Sequence, residues 1–274
     1  MMGGRGALGS GLAPMPTPPA RGNPPDVRSL LVSPGGSEVR LLEADPDLGA
    51  GIPSERRALA ARRLCARVEF IDPGEWEPRP MGDAGLGLLA LDGLICRSAR
   101  IADRSSTELL GAGDLLRPWQ DADGGVLPCQ IEWRVLERAR LAVLDPRFAA
   151  AAAPWPEVTA ELVGRAIRRT RWQSVFATIS HMTRVDVRLL LAFWHFADRW
   201  GRVTPDGVVV RLPLTHEAIG RLIGARRPSV TTALSLLADR GLVKPLLRGE
   251  WLLTGRASER LEALWAEGEA ADAA

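Results

Sequence analysis

Residues 214–243, LTHEAIGRLIGARRPSVTTALSLLADRGLV, limit the possible folds of this chain more than any other stretch. Thr215 is a good N-cap, Glu217 suits the positive end of a helix, and Leu214 with Ile219 occupies the hydrophobic-staple positions. Ala218, Ile219, Leu222 and Ile223 then repeat at helical spacing until Gly224, which reaches the left-handed conformation without a Cβ penalty. A second helix follows. Pro228 fits its first turn, where a missing N–H costs nothing, and Val230, Ala233, Leu234 and Leu237 share its inner face. At about 100° per residue, Pro228, Thr231, Thr232 and Ser235 are left outward, with Arg226 and Arg227 at the N-terminal end.

Hairpin signals bracket this pair. Pro205-Asp206-Gly207 leads into the β-branched run Val208-Val209-Val210, and residues 242–247 and 250–253 enclose Arg248-Gly249. Two short helices joined by a tight turn and followed at once by a hairpin are the sequence form of a helix-turn-helix with a wing. An ordinary surface helix carries both signs of charge on its outer face, whereas this one is small and polar with guanidinium groups at its tip. Such a face fits the major groove of double-stranded DNA, where Arg forks onto guanine and Thr meets a thymine methyl. The candidate DNA-binding residues are Arg226 and Arg227, to read or steer, Ser229, Thr231, Thr232 and Ser235, to tune base choice, Lys244 and Arg248, to grip phosphate, and Thr215 and Pro228 beside them. Two alternatives stand beside this reading: a winged helix that docks protein, and a constitutive scaffold without an effector.

Charge distribution agrees with the DNA reading. The whole chain is only +2, yet residues 184–250 hold eleven Arg or Lys against six Asp or Glu, a local +5 that suits phosphate contact. The length of 274 residues suggests two domains. No apolar run approaches the ~18 residues of a membrane span, and no charged start leads into an apolar leader segment, so a cytoplasmic protein without membrane contact is expected. Cys65, Cys96 and Cys129 are odd in number and far apart, so they are expected to be buried thiols rather than metal ligands; His181, His195 and His216 show no metal spacing either. There is no Gly-rich phosphate loop and no nucleophile–base signature, so an enzyme is not expected.

Residues 1–50, rich in Gly, Pro, Ser and Ala, are expected to be disordered, with Leu30–Val32 and Leu41-Leu42 able to dock locally. Ser54 opens a helix carrying Leu59, Ala60, Leu64 and Cys65. Short β-like runs follow as far as Leu144. Asp92-Gly93 and Glu137-Arg138 read as hairpin turns, and Asp72-Pro73-Gly74 and residues 111–114 also read as turns. Many short strands at this spacing indicate a β-roll or sandwich. Asp145-Pro146 caps a further helix, and from Pro156 to Trp200 the pattern is helical. Val158, Leu162, Val163, Ala166 and Ile167 begin a helix of about 25 residues, about 37 Å long, which suits pairing with a second copy as a homodimer, the alternative being a long helix lying on the β domain. His216 falls in the first turn of the first helix of the pair. Leu261, Leu264 and Trp265 suggest a final short helix.

In this arrangement the sequence resembles the Crp/Fnr family of bacterial transcription regulators over most of residues 55–255. The likeness is carried by Arg188-Leu189-Leu190 through Trp200-Gly201 and by LTHEAIGRLIGARRPSV. It implies an α+β fold with these parts: a disordered segment, 1–50; an N-terminal β-roll of the cyclic-nucleotide-binding type, 51–155; a dimerisation helix, 156–182; a C-terminal winged helix-turn-helix, 183–257; and a tail, 258–274. It further implies a DNA-binding regulator acting as a homodimer on a near-palindromic operator, with RNA polymerase as a possible partner. The family's Arg at the recognition-helix start falls on Arg227; a usual Glu beside it is Pro228 here and a usual Arg one turn on is Thr232. Asp92-Gly93 and Gly113-Asp114 sit at the family's β-roll turns, and the candidate effector residues are Gly113, Asp114 and Arg117. The family's phosphate-binding cassette, Phe-Gly-Glu followed by an Arg-Ser/Thr-Ala run, is not seen, so no cofactor is expected and binding of a cyclic nucleotide is disfavoured.

Overall fold

A computed structural model describes residues 37–81, 84–122 and 127–255, which belong to one unit. The expectations for residues 1–36 and for a helix at 261–265 lie outside the described residues. Residues 37–50 depart from the expected disorder. They form β1 (Glu38–Arg40), α1 (Leu41–Ala44) and a 3-10 turn (Pro46–Gly49), because Leu41, Leu42 and Leu48 are all buried under the sheet domain. Burying a leucine contributes about 1.5–3 kcal/mol, and three in a row of short elements tie this segment down.

The sheet domain continues with α2 (Ser54–Arg63), β2 (Cys65–Ile71), β3 (Gly74–Glu75), β4 (Gly87–Ile101), β5 (Arg104–Gly111), β6 (Leu115–Leu116) and β7 (Gln130–Leu144). All pairings are antiparallel. The main order is β1-β2-β7-β4-β5, with β3 added to β7 and β6 to β4. Neither Asp92-Gly93 nor Glu137-Arg138 turns the chain, contrary to the sequence reading. β4 and β7 each run through for fifteen residues, and the two dipeptides lie near one another as irregularities in the β4–β7 ladder. Asp92 accepts from Arg140 N at 3.1 Å and from Arg140 Nε at 2.5 Å across the ladder. Gly93 has φ 93°, and a Cβ there would lie 2.5 Å from Ala139 Cα. The bulge has a consequence for the whole strand. Before it, Leu88 and Ala90 join one buried cluster and Leu89 the opposite one; after it, Ile95 joins the first and Leu94 faces the C-terminal helices. The register shifts between Ala90 and Ile95 together switch the parity of the inward face, which is how a long strand bends and serves three cores.

Asp145 caps α3 (Pro146–Ala152) as expected, its side chain accepting from Phe148 N at 2.9 Å. Helix α4 (Pro156–Ser180) has 25 residues, and α5 (Val185–Trp200) ends where Gly201 begins β8 (Gly201–Thr204). The apolar stripe of α4 divides in two. Val158, Leu162 and Ile179 are buried against the chain's own domains, whereas Val163 and Ile167 are 54% and 65% exposed. The remaining elements are β9 (Gly207–Arg211), α6 (His216–Ile223), α7 (Arg227–Asp239), β10 (Val243–Pro245) and β11 (Glu250–Leu253); a second sheet has the order β10-β11-β9-β8. Its core, built on Leu189, Leu190, Phe193, Val230 and Leu237, also takes in Leu94 and Leu109, so the sheet domain packs directly on the helical one. Among the described residues no helix is long and apolar enough to cross a membrane. Cys129 is exposed and Cys65 and Cys96 are only partly covered, so the expected set of three buried thiols does not form.

Candidate nucleic-acid interface

The two helices form as the sequence dictates. Thr215 Oγ1 accepts from Ala218 N at 3.2 Å, and Gly224 closes α6 at φ 65°. The turn is tight for a reason legible only in space: Ala225 N donates to Gly220 O at 2.8 Å, and a Cβ on Gly220 would sit 2.5 Å from Ala225 O. Arg188, from α5, donates through Nη1 to the carbonyls of Ile223 (2.8 Å) and Gly224 (3.2 Å), satisfying the end of α6 and fixing the turn.

On α7, Val230, Ala233, Leu234 and Leu237 are buried, while Arg227, Pro228, Ser229, Thr231, Thr232 and Ser235 are all exposed; Arg226 stands at the N-cap. The hydroxyls are held against their own helix. Thr232 Oγ1 donates to Pro228 O and Ser235 Oγ to Thr231 O, both at 3.2 Å; Thr231 Oγ1 lies 3.1 Å from Arg227 O and 3.0 Å from His216 Nδ1. Such back-bonding occupies the single O–H and leaves the oxygen as an outward acceptor, matched to a base amino group or to ordered water. The sequence marks His216 only as a first-turn residue; its contact with Thr231, fifteen residues on, has no sequence signal.

Beyond α7 the wing forms, with Val243 opposite Leu253 and Pro245 opposite Trp251. β10 stops at Pro245, and the tip is a 3-10 turn in which Arg248 takes φ 59°. Lys244 and Arg248 are exposed, and beside them Leu247 is 84% exposed, an apolar tip that the sequence reading does not single out. Many arginines elsewhere have a carboxylate partner. Among the described residues Arg226, Arg227, Lys244 and Arg248 have none, so these cations remain available for phosphate or base contact.

The candidate effector residues do not share one place. Gly113, at φ 87°, and Asp114 line a cleft against α4 and α5, which does not include Arg117. Arg117 lies with its guanidinium 5.8 Å from the Trp119 ring centroid. Asp114 is 4% exposed and engaged through one oxygen, its Oδ2 accepting from Gly111 N at 2.8 Å and from Arg199 Nη2 at 2.6 Å. Burial pushes its carboxyl up, against the pull of Arg199 and the Gly111 N–H. Arg199 in turn lies over the Trp200 and Trp172 rings, so this pair ties the β5–β6 turn to the end of α5. Next to it His195 stacks on Trp172 with centroids 4.1 Å apart, and burial pushes the imidazole below its usual range.

The described residues thus combine an antiparallel sheet domain, a long helix with one open face and a winged helix-turn-helix. Residues 187–264 match the model of the Crp-like helix-turn-helix domain. The fold is similar to that of a CooA mutant from Carboxydothermus hydrogenoformans (17% identity, 84% of this chain and 97% of that one, TM-score 0.58). It is also similar to FixK2 from Bradyrhizobium japonicum (16%, 73% and 96%, 0.55) and to a CRP-family transcriptional regulator from Thermus thermophilus (20%, 70% and 95%, 0.52). No curated protein sequence matches the chain. The chain thus has the fold of the Crp/Fnr transcription regulators and carries their helix-turn-helix domain.

Proposed function

We propose that this protein is a sequence-specific DNA-binding transcription regulator acting as a homodimer on a near-palindromic operator. The observation that carries the reading is the α7 face: small, polar or cationic residues from Arg226 to Ser235 line the open side of a helix whose other side is fully packed, with unpaired cations at its start and on the wing. In this reading α7 enters the major groove, Arg226 and Arg227 meet base edges, Ser229, Thr231, Thr232 and Ser235 tune base choice, and Lys244 and Arg248 grip phosphate. Thr215 and His216 flank the same groove from the first helix.

The dimer rests on α4. Ala160, Val163, Ile167, Thr170, Ser174 and Ala177 alternate at spacings of three and four, and all are exposed. A 3.5-residue seam of small and β-branched side chains fits a paired helix, and two subunits joined there would set half-sites about 34–36 Å apart. Selection of bound duplexes from a random pool, followed by anisotropy titration, tests the whole reading. The expected result is a two-fold-symmetric motif whose affinity falls steeply with salt; binding without sequence preference, or none, refutes it. Engagement of RNA polymerase and a cytoplasmic location follow from this role, and no step of it calls on catalysis or a cofactor.

A further inference from the structure

A cleft of about 530 Å³ opens where the 44–47 segment, the β5–β6 turn and helices α4 and α5 meet, within the ~300–1,000 Å³ range of small-molecule sites. Four guanidiniums line it, from Arg165, Arg168, Arg169 and Arg199, together with the carboxylates of Asp45, Asp47, Asp114 and Glu161. Two of the arginines are fully engaged. Arg165 gives both terminal nitrogens to Asp45 and Nε to Glu161, and Arg169 gives Nε and Nη2 to Glu108 and Nη1 to the Leu115 carbonyl.

Arg168 and Arg199 differ. Arg168 donates from Nη2 to Glu161 at 2.6 Å, and Arg199 from Nη2 to Asp114 and, at 3.4 Å, to the Ala112 carbonyl. A guanidinium has N–H groups on all three nitrogens, so Nε and Nη1 of both have no acceptor among the described residues. One such N–H from each of two guanidiniums can meet one oxygen of a carboxylate in a charge-assisted bond. With four guanidiniums against four carboxylates the lining is formally neutral, which suits a monoanion better than a dianion such as phosphate, and Pro46, Leu91 and Trp172 supply apolar wall. We infer that this cleft binds a small monocarboxylate with a flat apolar body, its carboxylate taken by the unused N–H groups of Arg168 and Arg199.

Two placements strengthen the inference, and neither depends on the DNA reading. The residues that α4 gives to the cleft (161, 165, 168, 169 and 172) lie off the seam marked by Val163, Ile167 and Thr170, at the b, c and f positions of the same seven-residue pattern, so pairing of α4 helices leaves the cleft open. Arg199 also holds Asp114, the tie between the sheet domain and α5. A carboxylate on the unused N–H groups of Arg199 shares that guanidinium with Asp114 on Nη2, so occupancy acts on the link to the helix-turn-helix.

Isothermal titration calorimetry of the full chain with 2-naphthoate, acetate and inorganic phosphate, at constant ionic strength, tests it. Expected are saturable binding of 2-naphthoate, at least tenfold weaker binding of acetate and no binding of phosphate. Arg168→Ala and Arg199→Lys should each weaken 2-naphthoate at least tenfold. Arg168 is 63% exposed, so its substitution carries the test even where Arg199→Lys impairs folding. Absence of saturable 2-naphthoate binding, phosphate binding as tight as 2-naphthoate, or indifference to Arg168→Ala overturns the inference. Binding of random duplex DNA by the same preparation separates the two readings. A chain that grips DNA and ignores 2-naphthoate loses only the cleft, and one that binds 2-naphthoate but not DNA loses only the DNA reading.

Discussion

Helices α4 and α7 are both amphipathic, and both bury one side on their own chain, yet their open faces are opposite in chemistry. That of α7 is hydroxyl-bearing and cationic, with the hydroxyls folded back on the helix. That of α4 holds Val163 and Ile167, four residues apart, in the open. A polar open face with unpaired cations is stable in water and suits a hydrated, anionic partner; an apolar one is relieved only by protein or another apolar surface. Exposure alone separates neither helix from ordinary surface. In the proposed function it is the residue type at the exposed positions that favours DNA for one and a second copy for the other.

The comparison breaks most visibly at Ile167. Placing a charge in the seam, as Ile167→Asp, removes apolar burial from both subunits and opposes two carboxylates, a loss of about 3–5 kcal/mol, so sedimentation should show monomer where the parent is dimeric. A dimer that survives the substitution moves the interface elsewhere. Asp114→Asn should come next. Removing one partner of a buried pair costs about 3–5 kcal/mol, reduced here to about 1–3 because Arg199 keeps partial access to water; thermal unfolding reads the loss. On α7, Arg227→Ala should cost about 1–3 kcal/mol of operator binding and relax preference at one base pair. Arg248→Ala, on the wing, should weaken all sequences alike and lower the salt slope by about one. If Arg227→Ala behaved like Arg248→Ala, the distinction between reading and gripping would fall.

The smallest expected effect is pH-dependent. Burial holds His195 below its usual range in the folded chain, so the folded state prefers the neutral ring while the unfolded chain takes up a proton near pH 6.5. Stability is then full above about pH 6.5 and declines as pH falls below it. Denaturant midpoints between about pH 7.5 and 5.5 should show the decline, and His195→Phe, which keeps the stack on Trp172, should flatten it.

Local chemistry made the helix-turn-helix legible. The N-cap at Thr215, the stop at Gly224, Pro228 in the first turn of α7 and the inner stripe of α7 are all set by neighbours within about one turn, and each stands where the sequence places it. The long helix and the cap at Asp145 were legible for the same reason. The sheet domain was not. Asp-Gly reads as a hairpin turn by local preference, but Arg140, forty-eight residues away, takes the Asp92 side chain and turns the site into a bulge. Residues 38–49 are too short and too charged to fold by themselves, and they are ordered by a surface that the rest of the chain builds.

By itself, then, the sequence determined the helices, their caps and the chemistry of the face that α7 presents, because these depend on periodicity and on groups close along the chain. Tertiary structure alone decided that Asp92-Gly93 bends a strand instead of reversing it, and that Asp114 is spent on Arg199 rather than offered to a ligand. It also decided that Arg168 and Arg199 keep donors in a common cleft, and that His216 reaches Thr231. Each is a pairing between residues distant in sequence, and its partner is chosen by how the packed surfaces meet, which no local pattern encodes.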